Sequence, residues 1–234
     1  MKANKFLVTS FTVGILASNT TFASDVKVST GFLYVNGQNT DLSLSDVKLS
    51  SIPLSLKVQN DAFGFKIATS YLNLDAGTGT TEKGIGDTRL TLSYDVSPQW
   101  TLSIQEKFST GDDKKGLSTG FNDTKVAVDY SKPLSGGKSV FGSLAYKVKG
   151  GKGSNPNYKN AADISLGMSK IISDNVVIGG SINYAQSSTS TLNDTTGGLA
   201  FVSRKLNKNW RTNAFVGYDN SKTKSAGVSI SYKF

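Results

Sequence analysis

The chain has 234 residues, a formal net charge of +9 and 37% apolar residues, with 24 glycines and neither cysteine nor histidine. The lack of histidine excludes the Ser-His and Cys-His pairs of common hydrolases and any His-ligated metal site. Because 10% of the residues are aromatic and only 18% are charged, the composition favours an all-β protein with one polar face per strand over a disordered chain.

The first residues are typical of a secretory signal peptide. Lys2 and Lys5 precede a short apolar stretch, and Thr21-Phe22-Ala23 places small residues before a cleavage point. The stretch is too short and too rich in hydroxyl side chains for a membrane-spanning helix. We predict cleavage after Ala23, with residues 24–234 forming one exported domain.

Apolar and polar residues alternate through most of residues 24–234, which indicates strands with two different faces. About twelve such segments of roughly 9–11 residues follow one another, the length that a tilted membrane strand requires. Short turns and longer loops alternate between them, as in bacterial outer-membrane barrels. We therefore predict an all-β fold, a transmembrane up-and-down antiparallel β-barrel of about twelve strands.

Two segments carry more specific expectations. Pro53 interrupts the second strand, where Leu49 and Ile52 fall out of phase, so we expect a β-bulge there. Near the end of the chain, alternation assigns Leu199 and Phe201 to the outer, lipid-facing surface.

Aromatic residues concentrate at the strand ends, which is typical of the two interfacial belts of a membrane barrel. The belt beside the short turns consists of Tyr94, Trp100, Tyr130, Trp210, Tyr232 and Phe234. The other belt consists of Tyr34, Tyr71, Phe108, Tyr146, Tyr184 and Tyr218. A soluble β-sandwich with these rings in its core is the alternative.

The last segment alternates and carries a terminal aromatic residue. Its outward residues are Val228, Ile230, Tyr232 and Phe234. We expect this strand to pair with the first strand, which removes the open sheet edge. An aromatic-ended final strand also resembles the signal that the outer-membrane assembly machinery recognises.

The residues between the outward positions are expected to line the lumen. The candidates are Lys57, Lys66, Asp87, Arg89, Lys107, Lys125, Asp129, Lys147 and Arg211, joined by Lys27, Asp95, Asp163 and Arg204. The excess of positive charge favours a water-filled, anion-selective channel. The alternative is a filled interior in which Asp87 neutralises Arg89 and Asp129 neutralises Lys125. Glu106 falls on the lipid face, so it lies near the outer belt or the register slips there.

The loop between the fifth and sixth predicted strands, together with residues 84–90 before it, carries the most distinctive motif. Its residues are Gly84, Gly86 and Asp87, then Lys107, Thr110, Gly111 and Asp112, then Gly116, Leu117, Thr119, Gly120 and Asp123. They resemble the pattern of the outer-membrane transporter family named after the meta-pathway of phenol degradation, with Ser109 in place of a proline and Ser118 in place of a glycine. The resemblance extends from about Ile52 to about Tyr146. It implies passage of aromatic or hydrocarbon compounds, whereas the residue types alone fit either a binding loop or a structural loop folded onto the barrel rim.

The leading hypothesis is an outer-membrane channel of a Gram-negative bacterium for passive uptake of small aromatic or anionic solutes. The alternative is a non-conducting structural or surface barrel, such as an adhesin or membrane stabiliser. No catalytic or metal site is expected, although a Ser, Asp and Lys arrangement stays conceivable. The expected partners are outer-membrane lipid, lipopolysaccharide, the barrel assembly machinery and an unidentified solute, with no nucleic acid and no cofactor.

Overall fold

The computed structural model describes residues 25–39, 44–77, 80–154 and 156–234. The predicted signal peptide, residues 1–23, lies outside this part of the chain. The described strands are β1 (Asp25–Asn39), β2 (Leu44–Asn60), β3 (Phe63–Asp75), β4 (Thr81–Ile85), β5 (Thr88–Asp95), β6 (Trp100–Phe108), β7 (Asp123–Pro133), β8 (Lys138–Val148), β9 (Ala161–Ser173), β10 (Val176–Ala185), β11 (Thr195–Lys205), β12 (Trp210–Asp219) and β13 (Lys224–Lys233). Among the described residues, the helical structure is a short 3-10 turn at Ser135–Gly137, and no helix has the length and apolar character needed to cross a membrane.

The strands form one closed antiparallel barrel. Apart from β4 and β5, which do not pair with each other, strands adjacent in sequence pair, and β1 pairs with β13 over ten positions from Lys27–Lys233 to Asn36–Lys224. β4 and β5 both pair with β3, on either side of Gly86 and Asp87, and together they occupy one position in the wall. The barrel therefore has twelve strand positions, which confirms the predicted fold class.

Large apolar side chains cover the outer surface. Ile182 is 67% exposed, and Leu166 and Val228 are each 58% exposed. Their sequence neighbours point inward and are mostly polar, as the alternation predicts. An apolar surface that surrounds a closed barrel is typical of transmembrane β-barrels.

The aromatic belt beside the short turns is built from contacting pairs. The rings of Trp100 and Tyr130 lie 4.7 Å apart, and Tyr232 contacts both Trp210 at 4.9 Å and Phe234 at 4.8 Å. Trp210 and Tyr218, eight residues apart on β12, mark the two belts. At about 3.3 Å per residue and a tilt of about 40°, the belts are about 20 Å apart along the axis, close to the apolar band of membrane barrels.

The bulge expected at Pro53 is wrong. β2 and β3 pair without interruption from Lys48–Asp75 to Asn60–Phe63, and the register with β1 is the same on both sides of Pro53. Proline removes one ladder donor, but no residue is inserted. Leu49 falls out of phase simply because this apolar side chain lies on the inner face.

The outward assignment of Leu199 and Phe201 is also wrong. Both point into the barrel and are nearly buried, at 9% and 8% exposure, while Val202 lies on the outer face. Phe201 lies beside Gly179, where a Cβ would come within 2.5 Å of the ring, so a glycine makes room for an inward aromatic side chain. Arg204 consequently lies on the outer face.

Glu106 lies on the outer face, and the register does not slip there. It pairs with Leu90 and Thr124 in unbroken ladders. Its carboxylate accepts a 2.6 Å hydrogen bond from the Thr124 hydroxyl, close to the end of β6 where the long loop begins. This location agrees with a position near the outer belt.

Candidate functional site: the barrel lumen

The mouth beside the long loops contains a buried network of charges. Lys107 Nζ lies 3.0 Å from Asp87 Oδ2 and 3.1 Å from Asp123 Oδ2, and Lys149 Nζ lies 3.0 Å from the same Asp123 atom. All four side chains are at most 11% exposed. Lys107 also donates a 2.7 Å hydrogen bond to Thr119 in the loop between β6 and β7. Buried charges of this kind are stable only when paired and hydrogen-bonded, and here they are.

The loop of residues 109–122 lies against the inner side of this mouth. Leu117 is 5% exposed and contacts the wall at Gly84, where a Cβ would come within 2.8 Å of Leu117 Cδ1. Leu74 points inward from β3, and its buried side chain lies beside Gly116 of the loop. The loop therefore lies against the wall and narrows the mouth, an arrangement compatible with either a structural loop or a binding loop.

Three motif glycines allow the loop conformation, two through a positive φ and one through close backbone contact. Gly116 and Gly120 have φ of 72° and 75°, a region that side chains other than glycine rarely adopt. Gly111 instead permits close approach, because a Cβ there would lie 2.8 Å from the carbonyl oxygen of Leu117. Asp112 caps the turn by accepting the backbone N–H of Lys114 at 3.0 Å.

The two positions that depart from the family pattern contact each other. The hydroxyl oxygens of Ser109 and Ser118 are 2.7 Å apart. Ser118 Oγ also accepts the N–H of Gly120 at 3.0 Å. The two substitutions thus form one hydrogen-bonded pair that holds the ends of the loop together.

Sequence reasoning missed Lys149, which is 2% exposed as a side chain. Its ammonium group lies 4.9 Å from the centre of the Tyr158 ring, a cation–π distance. Burial lowers the pKa of Lys149, and the adjacent Asp123 carboxylate opposes this effect. Lys149 follows the strand β8 by one residue, so the alternation along β8 was the available signal.

A second loop, residues 186–194, is held by one carboxylate. Asp194 accepts a 2.5 Å hydrogen bond from the Tyr184 hydroxyl and a 2.9 Å bond from the Ser187 N–H. These bonds lower the pKa of Asp194, the tyrosine hydroxyl contributing most.

The predicted neutralising pairs are replaced by others. Asp87 pairs with Lys107 rather than with Arg89, and Lys125 pairs with Asp163 at 3.4 Å rather than with Asp129. Partner choice in a barrel depends on the register across strands, and sequence adjacency does not supply it. In the part of the chain that the structure describes, Arg89 and Asp129 form no ion pair.

The lower half of the lumen is basic and accessible. Lys57 and Lys66 lie opposite each other on β2 and β3, point inward, and yet remain exposed. Lys27 and Arg211 are inward and half-buried, and Lys147 lies higher on β8. Inward side chains keep such exposure only where the lumen has room for solvent. No group of acidic residues suited to a metal ion occurs within the described residues.

Three inward phenylalanines form an apolar patch on the opposite wall. Phe141 and Phe201 have ring centres 6.2 Å apart, and Phe215 lies directly opposite Phe201 on β12. Gly167, Gly179 and Gly227 lie beside these rings, and a Cβ at each would come within 2.5 Å of a ring atom. The rings therefore lie close against the wall, over the glycines of the neighbouring strands.

No protein-family model and no curated protein matches the chain. Among solved structures, it is similar to an outer membrane channel from Pseudomonas putida F1, with a TM-score of 0.70, 14% identity, and coverage of 93% of this chain and 97% of that one. It is also similar to the KdgM porin in complex with disordered oligogalacturonate, with a TM-score of 0.59, 11% identity, and coverage of 89% and 99%. The NanC porin gives a TM-score of 0.57 at 11% identity, with coverage of 91% and 100%. The chain therefore has the fold of outer-membrane channels and porins.

Proposed function

We propose that this protein is an outer-membrane channel for the passive uptake of small solutes, with a preference for anions. The observation that carries the proposal is the exposure of the inward Lys57 and Lys66, because a filled barrel would bury them or pair them with carboxylates. The closed wall and its apolar outer surface support insertion into a membrane. The similarity in fold to outer-membrane channels supports the same role.

In this role the barrel is surrounded by outer-membrane lipid and lipopolysaccharide, with its long loops outside and its short turns in the periplasm. The barrel assembly machinery recognises β13 through Val228, Ile230, Tyr232 and Phe234. The order of the motif residues supports membership of the transporter family named after the meta-pathway of phenol degradation. The inward rings of Phe141, Phe201 and Phe215 support aromatic solutes as a second class.

A non-conducting barrel is the competing function. The ion-paired mouth and the loop packed against Leu74 favour it, because both narrow the outer end of the lumen. Single-channel current of the refolded protein in a planar bilayer under a salt gradient separates the two functions. Steps of stable conductance with an anion-favouring reversal potential support the channel. A barrel that is folded by its heat-modifiable migration but carries no current refutes it.

The structure also predicts which lysines contribute most to ion selectivity in that experiment. Replacing Lys57 and Lys66 with serine is expected to reduce anion selectivity, because both charges face the lumen and neither forms an ion pair with a described carboxylate. Replacing Lys107 is expected to affect the loop instead, because Asp87 and Asp123 already neutralise it. Equal effects of both changes on selectivity would contradict this ranking.

A further inference from the structure

The strand register aligns six lysines in one row of directly opposed inward positions, which we name the lysine track. In order of neighbouring strands, the row consists of Lys233, Lys27, Lys57, Lys66, Thr91, Gln105, Lys125 and Lys147. Directly opposed residues on neighbouring strands have Cα atoms about 4.5–5.5 Å apart. The row therefore presents a cation at almost every strand along more than half of the wall.

The lysine track rises from one mouth of the barrel to the other. Lys233 is the last residue of β13, at the short-turn end, and Lys147 is next to the last residue of β8, at the long-loop end. A row perpendicular to the strands climbs along the axis because the strands are tilted. Seven steps of about 4.8 Å at a tilt of about 40° raise it by about 20 Å, which is about the distance between the two aromatic belts.

Among the residues that the structure describes, most of this charge has no paired carboxylate. Lys233 pairs with Asp25 at 2.6 Å, and Lys125 pairs with Asp163 at 3.4 Å. Within the described residues, the other four lysines of the track form no ion pair with a carboxylate. Like charges placed directly opposite each other destabilise a sheet, so the lysines of the row repel one another and an anion lying along it would relieve the repulsion.

We propose that the lysine track binds an elongated polyanion whose carboxylate or phosphate groups repeat about every 5 Å, near the spacing between strands. The inference rests on the proposed channel function and names its substrate class. Six of the eight positions in the row offer an anionic group a lysine, and a shift of the chain by one group places most of its groups beside a lysine again. Several equivalent weak sites allow a solute to enter and also to leave, as conduction requires. The uncharged Thr91 and Gln105, joined by a 3.0 Å hydrogen bond, supply polar contacts in the middle of the row.

The test is isothermal titration calorimetry of the refolded barrel in detergent with a mannuronate hexamer, and with maltohexaose as the neutral hexamer. The wild-type protein is expected to bind the acidic hexamer and not the neutral one. The variant K27Q/K57Q/K66Q is expected to weaken binding about tenfold or more, and K27R/K57R/K66R to retain it. If the triple glutamine variant does not fold, Lys66→Gln alone, at an exposed position, is expected to weaken binding about threefold.

The matched control is K132Q/K138Q/K170Q, which removes the same charge from the outer face near the same end of the barrel. It is expected to leave hexamer binding unchanged. Equal losses in the control and the track variant, or no loss in either, would overturn the proposal. Binding that depends on the track in a barrel without measurable current would refute the channel function and support polyanion binding by the track. Current without track-dependent binding would support the channel function and refute polyanion binding by the track.

Discussion

Removing one lysine from the middle of the lysine track is expected to stabilise the barrel, although most substitutions destabilise proteins. Lys57 lies directly opposite Lys27 on one side and Lys66 on the other. Two like charges about 6 Å apart in water repel by about 0.7 kcal/mol, so two neighbours give about 1.4 kcal/mol. Screening at 0.1 M salt reduces this to about 0.8 kcal/mol, which is the expected gain in the free energy of unfolding for Lys57→Gln.

The assay is urea unfolding of the barrel in phospholipid vesicles, followed by tryptophan fluorescence. In 1 M salt the gain should fall to about 0.2 kcal/mol, because the screening length is then about 3 Å. Lys132→Gln, on the outer face opposite Val140, is the control and is expected to show no gain. A loss of stability for Lys57→Gln, or a gain that salt does not reduce, would refute the repulsion on which the track argument depends.

Three further predictions address other parts of the barrel. Asp123→Asn should cost about 3 kcal/mol in the same unfolding assay, because it leaves a buried ammonium group without its carboxylate, whereas Asp129→Asn, on the same strand without an ion pair, should cost much less. Gly179→Ala should cost about 2 kcal/mol, because its Cβ would lie within 2.6 Å of a backbone carbonyl oxygen and of a phenylalanine ring, whereas Gly153→Ala has open space and should be nearly neutral. Carboxyl NMR titration should give Asp194 a pKa below its ordinary value. The hydrogen bonds to its carboxylate therefore stabilise the loop at neutral pH, and this stabilisation is lost when the pH falls through the lowered pKa. An ordinary pKa for Asp194 would contradict these hydrogen bonds.

The barrel itself was predictable because strand alternation is a local property. Each strand shows its two faces within a few residues, and the alternation of turns and loops gives the order of the strands. The predicted outward direction of Phe201 was wrong because the sequence does not distinguish an apolar side chain on the inner face from one on the outer face. The glycine that accommodates its ring lies on the neighbouring strand, so only the pairing of the strands reveals it.

The lumen was predictable in composition but not in arrangement. Alternation predicted Lys57, Lys66 and Lys107 on the inner side. It could not show that Lys107 is buried between two carboxylates, while Lys57 and Lys66 are exposed and have no ion pair with any carboxylate of the described residues. That difference depends on which residues face each other across strands, and a single change of register would exchange the partners of every side chain.

The seam between β1 and β13 has a consequence for the order of events in biosynthesis. Lys27 and Lys233 are direct neighbours in the wall but are separated by nearly the whole described chain. The barrel can therefore close only after β13 has been synthesised. Every shorter intermediate has two sheet edges with unpaired backbone donors and acceptors. Such edges pair readily with other chains, so an incomplete barrel is prone to aggregate. A chain truncated within β13 would keep a permanent gap beside β1.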